Sequence, residues 1–543
     1  MARDTRTIRI ESILGGESPS THYAGEDEFF NSVNIDPAQP VSDNFGRASG
    51  LLRPVNPIER SNELLNAAPM WIKRQPKGTT YYIYDVLGSV YTWDGSFAGL
   101  GDLNDGGSAT GNGAYYYDNY MYFARDTTIA RYGPQNGSAS WTDDYWVGTL
   151  GKTALTNTTY PNDSWTTLKY PNHVLHRHSD GKLYIADMVG NQGTIHYIQT
   201  TKTTVEGDTD NGSTYNALQV GYGLLPMAME SYGNYLVIAF CEVGSDVGTL
   251  GTASRQMNAK LAFWDTTSQK VNTITWSEYP DQIITALKNL NGVLYIFSGS
   301  TQQLGCRVTK YIGGYSVDEV AYFDDLQIQP PFPGAVDGTS RRLVFGTNAN
   351  SSISPSGSNA NDVGVVMSLG LQKASLGEGL FKVMGATGSN SAITSLTFVG
   401  QQFGFDYPYI GWSKGVSGVG SNGFNIQGGN YSQSPTYWQS QLYKIGSHFK
   451  ITEVRIPIAS VIGANTTVIP RLIIDKDVYH ATASNVNTLT TINNSNFSGQ
   501  NVVVLRPDGV TGRYSVQLEL EWTGTALCTI ALPIILEYEI IDD

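Results

Sequence analysis

The chain has 543 residues, of which 15% are charged, with 34 Lys and Arg against 48 Asp and Glu and a net charge of −14. That length allows two or three domains, and the low charged fraction with 59 Gly and 33 Tyr suits a β-rich chain with many turns. The acidic balance, with a pI near 5.0, excludes a protein that wraps DNA by neutralising phosphates, so no sequence-specific nucleic-acid partner is expected.

Residues 1–75 hold little that recurs later. Thr7-Ile8-Arg9-Ile10-Glu11-Ser12-Ile13 alternates as one strand, Glu26-Asp27-Glu28 follows, and Pro37, Pro40, Pro54 and Pro57 punctuate the rest. Repeated prolines with few apolar clusters predict an extended N-terminal arm lying on something else, of the kind that ties subunits together. Met1 to Ile10 lacks an apolar core, so no signal peptide is expected, and no apolar run reaches the length of a membrane span.

Residues 76–430 carry a recurring stretch. It reads Leu or Met, then an aromatic or Val, an aromatic or Ile, and a small or apolar residue. The copies are Met121-Tyr122-Phe123-Ala124, Leu183-Tyr184-Ile185-Ala186, Leu236-Val237-Ile238-Ala239, Leu294-Tyr295-Ile296-Phe297 and Leu343-Val344-Phe345-Gly346, spaced by 62, 53, 58 and 49 residues. Turn signals precede most of them: Asp118-Asn119, Asp180-Gly181, Gly233-Asn234 and Asn291-Gly292. Each copy is apolar on both alternating faces, which predicts a strand buried between two layers. A β-propeller gives such strands a place, and six or seven blades of roughly 50 to 60 residues fit the length. Trp93-Asp94 and Trp264-Asp265 each end a predicted strand in the manner of WD-type propellers, but without the Gly-His partner of that signature. Residues 350–362 read as an exposed loop, and residues 413–436 as the linker to the next domain.

Residues 437–543 form a separate unit. Phe449 to Ile458 alternates cleanly, Thr467 to Asp475 is interrupted by Pro470, and Val502 to Leu505, Arg513 to Trp522 and Leu527 to Glu539 complete a set of short strands. The expectation is a jelly-roll-like β-sandwich. The fold class is therefore all-β: an extended arm, a β-propeller and a C-terminal β-sandwich.

No constellation for catalysis emerges, so no enzyme and no cofactor is expected. His176 and His178 share a strand face, with His173 and His196 nearby, but no carboxylate or Cys lies at ligand spacing and no metal site is assigned. Asp208-Thr209-Asp210-Asn211-Gly212 lacks the oxygen ligand and the Glu of a calcium loop, and reads as one imperfect copy of an Asp-box turn. Adjacent acids such as Asp143-Asp144 and Asp324-Asp325 single out no catalytic pair. Cys241, Cys306 and Cys528 are odd in number and far apart, which predicts buried thiols and no disulfide framework. Aromatic residues crowd the segments between strands, and Trp141, Tyr145, Trp146 and Trp165 are the candidate contacts for a glycan or a protein partner.

The two ends of the chain resemble virion structural proteins of tailed bacteriophages. The resemblance rests on Thr7-Ile8-Arg9-Ile10-Glu11-Ser12-Ile13-Leu14-Gly15-Gly16 through Gly50-Leu51-Leu52-Arg53-Pro54, and on His448-Phe449-Lys450-Ile451-Thr452-Glu453-Val454-Arg455-Ile456 through Thr491-Ile492-Asn493-Asn494. It implies a structural protein of the tail, neck or fibre, made in the host cytoplasm and located in the virion. Other virion proteins and further copies of itself would be its partners. Propellers occur in the nozzle proteins of short-tailed phages, around the DNA channel. The alternative is a receptor module that binds host surface glycan through the aromatic loops, and a glycoside hydrolase ranks third.

Overall fold

The computed structural model describes residues 5–13, 16–18, 28–35, 51–52, 54, 64–65, 67–76, 79–85, 87–94, 101–104, 113–125, 129–146, 174–189, 192–198, 213–242, 258–268, 275–280, 282–300, 306–314, 316–323, 328–339, 342–349, 365–373, 377–385, 392–402, 405–413, 422–425, 436–475, 486–524 and 528–541. Among them the one helix is the four-residue Asn494–Phe497, and the fold is otherwise all-β.

Small antiparallel sheets follow one another along the chain. Among the described residues, units one to five span residues 69–104, 113–146, 174–222, 224–279 and 282–323, and each is four strands in sequence order. Unit six pairs four strands between residues 336 and 385, and unit seven pairs three between 392 and 425. The fourth strand of unit seven is Leu64–Leu65, which joins Asn422–Asn425 from the far end of the sequence.

The recurring stretch falls on the second strand of units two to six: Tyr120–Ala124, Leu183–Val189, Tyr235–Glu242, Val293–Ser300 and Arg342–Gly346. Its two faces are buried for different reasons. In unit four, Leu236, Ile238 and Phe240 pack on Tyr184 and Ile195 of unit three. Val237 and Ala239 pack on Ile284, Leu294 and Ile296 of unit five. The hairpins before these strands turn through left-handed backbone. Asp118 and Asn119 have φ of 44° and 67°, and Asn291 and Gly292 have 52° and 83°. That is the primed turn whose twist matches its strands.

The first strands lie together. They are Pro69–Arg74, Gly113–Tyr117, Val174–Arg177, Leu224–Tyr232, Gln282–Leu290, Val336–Gly338 and Ala392–Gln402, and each touches the next. Ala392–Gln402 then touches Pro69–Arg74, so the series closes. At the closure Thr394 Oγ1 and Ser395 Oγ both donate to the Pro69 carbonyl at 2.7 Å. A Cβ on Gly411 would meet Pro69 Cγ at 2.8 Å, so the close approach requires glycine there.

The C-terminal residues build two sheets. One runs Thr5–Ile10, Ile534–Ile540, Phe449–Pro457, Val502–Leu505. The other runs Thr436–Ser440, Ser515–Gly524, Thr466–Ile474, Val486–Thr488 and is one end of a twelve-stranded sheet that continues through Glu28–Val33 and Gly16–Glu17 into unit six. Val454, Ile456 and Leu536 of the first share one apolar cluster with Trp438, Val468, Leu472 and Leu520 of the second. Pro470 does not lie at an edge, because Thr466–Ile474 pairs with Ser515–Gly524 on one side and with Val486–Thr488 on the other.

The N-terminal stretch lies on its own chain wherever it is described. Glu28–Val33 pairs with Thr436–Ser440, and Gly16–Glu17 pairs parallel to it and to Gly377–Gly385 of unit six. Two expected boundaries shift. Pro69–Arg74 is the first strand of unit one, so the ring begins before residue 75; its Lys73 and Arg74 mask the apolar pattern. The stretch 413–436, expected as a linker, supplies Asn422–Asn425 to unit seven. The loop 350–362 lies outside the described residues.

Candidate functional site

The first strands of units one to six each place one polar or aromatic side chain at the same register. Opposite the second residue of the repeat stand Tyr115 (facing Tyr122), His176 (Tyr184), Glu230 (Val237), Lys288 (Tyr295) and Asp337 (Val344), and in unit one, which has no copy of the repeat, Lys73 faces Tyr82 of the second strand. Because the first strands meet around the closed series, these side chains form a girdle near its axis.

Neighbours in the girdle interact in turn. The Lys73 ammonium lies 5.9 Å from the Tyr115 ring centre, and Tyr115 meets His176 edge to face at 5.6 Å. His176 Nε2 lies 3.9 Å from Glu230 Oε1, and Lys288 Nζ donates to Asp337 Oδ1 at 2.8 Å. Behind it, Ser231 Oγ contacts both His176 Nε2 at 2.8 Å and His178 Nδ1 at 2.9 Å. One hydroxyl proton can go to only one neutral ring, so the other imidazole must turn an N–H toward Ser231. Asn289 Nδ2 donates to the Ser231 carbonyl at 2.7 Å and ties unit five to unit four.

Burial dominates the electrostatics. It pushes His176 down to about 3, helped by His178, Lys288 and Lys73, so the ring is neutral at ordinary pH. It pushes Glu230 up to about 7 against the pull of Lys288 and the Ser231 N–H. It holds the Lys73 ammonium below its usual value, although Asp337 pulls the other way. It also opposes the charge on Lys288, but Asp337 and Glu230 outweigh it and the value is raised.

The sequence-predicted site residues lie elsewhere. Trp141 is half-buried on the fourth strand of unit two, 5.4 Å from Phe123, with its Nε1 donating to Asp143 Oδ1 at 2.6 Å. Tyr145 is only 4% exposed, and its ring covers the Arg131 guanidinium at 3.8 Å. It has no face to offer a ligand, because the ring fills the gap over a buried cation. Trp146 ends the same strand, and Trp165 lies outside the described residues. So do His173, Asp208 to Gly212 and Asp324-Asp325. Asp143 accepts from Arg125 Nη1 at 2.6 Å. His196 is buried on the third strand of unit three, apart from the Ser231 contact. Among the described residues no group of three or more His, Cys, Asp or Glu is placed to hold a metal ion. Cys241, Cys306 and Cys528 are all buried.

Sequence reasoning missed the girdle and one surface patch. The patch lies where units four and five meet: Tyr232 and Tyr311 cross at 5.6 Å, Phe263 packs under Tyr311 at 4.6 Å, and Tyr235 and Ile312 stand 47% and 62% exposed. The signal for the girdle was available. Each member in units two to six stands at a fixed place across the hairpin from the repeat.

No family model matches the chain, and no curated protein matches it. It is similar to the solved structure of a computationally designed protein, Ika8, at 12% identity over 68% of this chain and 99% of that one, with a TM-score of 0.35. It is similar to the β-propeller domain of Cps50 (Swd1) from Myceliophteria thermophila at 11% identity, 68% and 100% coverage and a TM-score of 0.38. A protein from Lactobacillus plantarum gives 13%, 59% and 85%, with 0.36. Likeness this distant carries no weight for function.

Proposed function

We propose that the chain is a structural, non-catalytic component of a tailed-phage virion, built as a seven-bladed propeller that carries a C-terminal β-sandwich. The closed series of first strands supports the blade count, and the core shared by the two C-terminal sheets supports the sandwich. One observation carries the virion reading. The two end segments that resemble virion proteins are far apart in sequence, yet they bury Ile10, Ile13, Leu52, Phe449, Ile451, Val454, Ile456 and Ile492 in a single core. Leu52 even exchanges backbone hydrogen bonds with Ile530, at 2.9 and 3.0 Å. The resemblance therefore follows one folded module rather than scattered segments. Other virion proteins and further copies of the chain are the partners of this reading.

Electron-microscope class averages of the purified chain and of particles that contain it test the reading. A closed symmetric assembly or a fixed position on the particle is expected. A chain that stays monomeric and is absent from particles overturns it.

A second reading has one observation in its favour. The patch of exposed Tyr235 and Ile312 beside half-buried Tyr232 and Tyr311 offers the aromatic surface that a host glycan would stack on. Retention on host polysaccharide that falls at least tenfold in Tyr235→Ala supports it; retention that is absent, or unchanged in the variant, removes it.

A further inference from the structure

One ammonium in the girdle has no direct polar contact among the described residues, although Asp337 and Glu230 act on it through space. Lys288 donates to Asp337, His176 contacts Ser231, and Glu230 Oε1 accepts the Ser231 N–H at 3.0 Å. The Lys73 ammonium makes neither a hydrogen bond nor a salt bridge among the described residues. Its ammonium lies over aromatic rings instead, 5.1 Å from the centre of Trp71 and 5.9 Å from that of Tyr115. An ammonium carries three donors and no acceptor, so its hydrogen-bonding capacity is unspent.

The girdle is also reachable. Lys73 is half-buried rather than sealed. The side chains of Glu230, Lys288 and Asp337 keep 18%, 27% and 24% of their surface exposed, although they stand on the strands nearest the axis. Solvent therefore reaches the space that these groups share.

We propose that the axial girdle is a binding site for a compact oxyanion, a carboxylate or phosphate group, seated on the Lys73 ammonium. A charge-assisted N–H···O⁻ bond is the strongest complement for a free ammonium. The Trp71 and Tyr115 rings keep water from one side of it and so lower the local dielectric. Lys288 supplies a second positive charge, and the carboxylate it already engages repels an incoming anion less than a free one would. Glu230 adds an O–H donor when protonated. Since Glu230 loses its proton around pH 7, affinity for the carboxylate probe, whose own charge is constant there, falls as pH rises through that value.

The test is calorimetry on the full chain at pH 6 with two probes, inorganic phosphate and glucuronate. Saturable binding of at least one probe is expected, weakened at least tenfold in Lys73→Met and unchanged in Lys444→Met, an exposed lysine of the C-terminal sheets. Phosphate alone would identify a phosphoryl ligand, and glucuronate alone an acidic sugar. No saturable heat with either probe, or equal affinity in Lys73→Met, overturns the proposal. If Lys73→Met does not fold, reductive methylation of the unaltered chain decides the matter by peptide mass spectrometry. Saturating probe should slow labelling of Lys73 at least fivefold relative to Lys444, and equal rates with and without probe overturn it.

Discussion

Arg131 is 5% exposed, yet its Nε and Nη1 have no hydrogen-bond partner among the described residues. Its guanidinium is held between two aromatic faces, Tyr120 at 4.2 Å and Tyr145 at 3.8 Å. Cation–π contacts in a desolvated site are worth ~2 kcal/mol or more. Tyr145→Ala should therefore lower stability by roughly 3 kcal/mol or more, since it leaves a cavity and uncovers a buried charge. Urea unfolding measures this, and a loss under about 1 kcal/mol would refute the structural role. The girdle gives a second residue-scale expectation. Glu230 titrates near 7 in the folded chain against an ordinary 4.5. Between those values the folded chain holds a proton that the unfolded chain has lost, so this group's contribution to stability falls as pH rises. His176 acts in the opposite sense: its value drops from 6.5 to about 3, so its contribution rises with pH over that span and is complete above 6.5. From pH 4.5 to 6.5 the two offset each other. Glu230→Gln should unmask the rise from His176 and gain stability over the parent as pH climbs to 7, up to a ceiling on the order of 3 kcal/mol. Melting curves for both proteins across pH 4 to 8 check it, and a difference that does not grow with pH refutes it. At this scale only His176 stood out in the sequence, because Lys73, Glu230, Lys288 and Asp337 look like ordinary solvent-facing positions of short strands. Only the hairpin register brings them to one place.

The second strands were the legible elements. They have an apolar neighbour on each side, so both alternating faces are apolar and the pattern survives changes in spacing. The first strands were not legible, since one end of each faces the axis and carries a polar side chain. Least legible was Leu64–Leu65, whose partner Asn422–Asn425 lies across the whole ring in sequence. Two residues carry no periodicity, and pairing at such separation leaves no local trace. That short strand closes unit seven, and Leu65 is 2% exposed beside Ile72, Ile83 and Trp93 of unit one. Leu65→Asp should place an unpaired carboxylate at the closure and cost several kcal/mol. Proteolysis reads the result. Cleavage should appear first between residues 392 and 425 while the C-terminal sheets stay intact, and a cleavage pattern like that of the parent would contradict the assignment.

Across the whole molecule, the ends of the chain are bound together before the ring is considered. Thr5–Ile10 pairs along its length with Ile534–Ile540, which in turn pairs with Phe449–Pro457. It covers what would otherwise be an open edge. Ile534–Ile540 alternates buried and half-buried side chains over seven residues with no proline after Pro533, a profile that invites pairing with another chain. The strand that covers it exposes Arg6 and Arg9, and exposed charge on an outer strand discourages further addition. The sequence displayed this alternation but not its partner, and an arm reaching to another subunit was an equally consistent expectation. The two arrangements differ in what a truncation does. If Thr5–Ile10 serves its own chain, deleting residues 1–12 uncovers the Ile534–Ile540 edge, removes Ile10 from the core and opens a new route to self-association. Size-exclusion chromatography with light scattering should then show additional, concentration-dependent species and a lower Tm. If the strand served a neighbouring copy, the same deletion would instead dissolve an existing assembly and leave smaller species than the parent gives. Loss of assembly without new association would therefore reverse the assignment of this strand to its own chain.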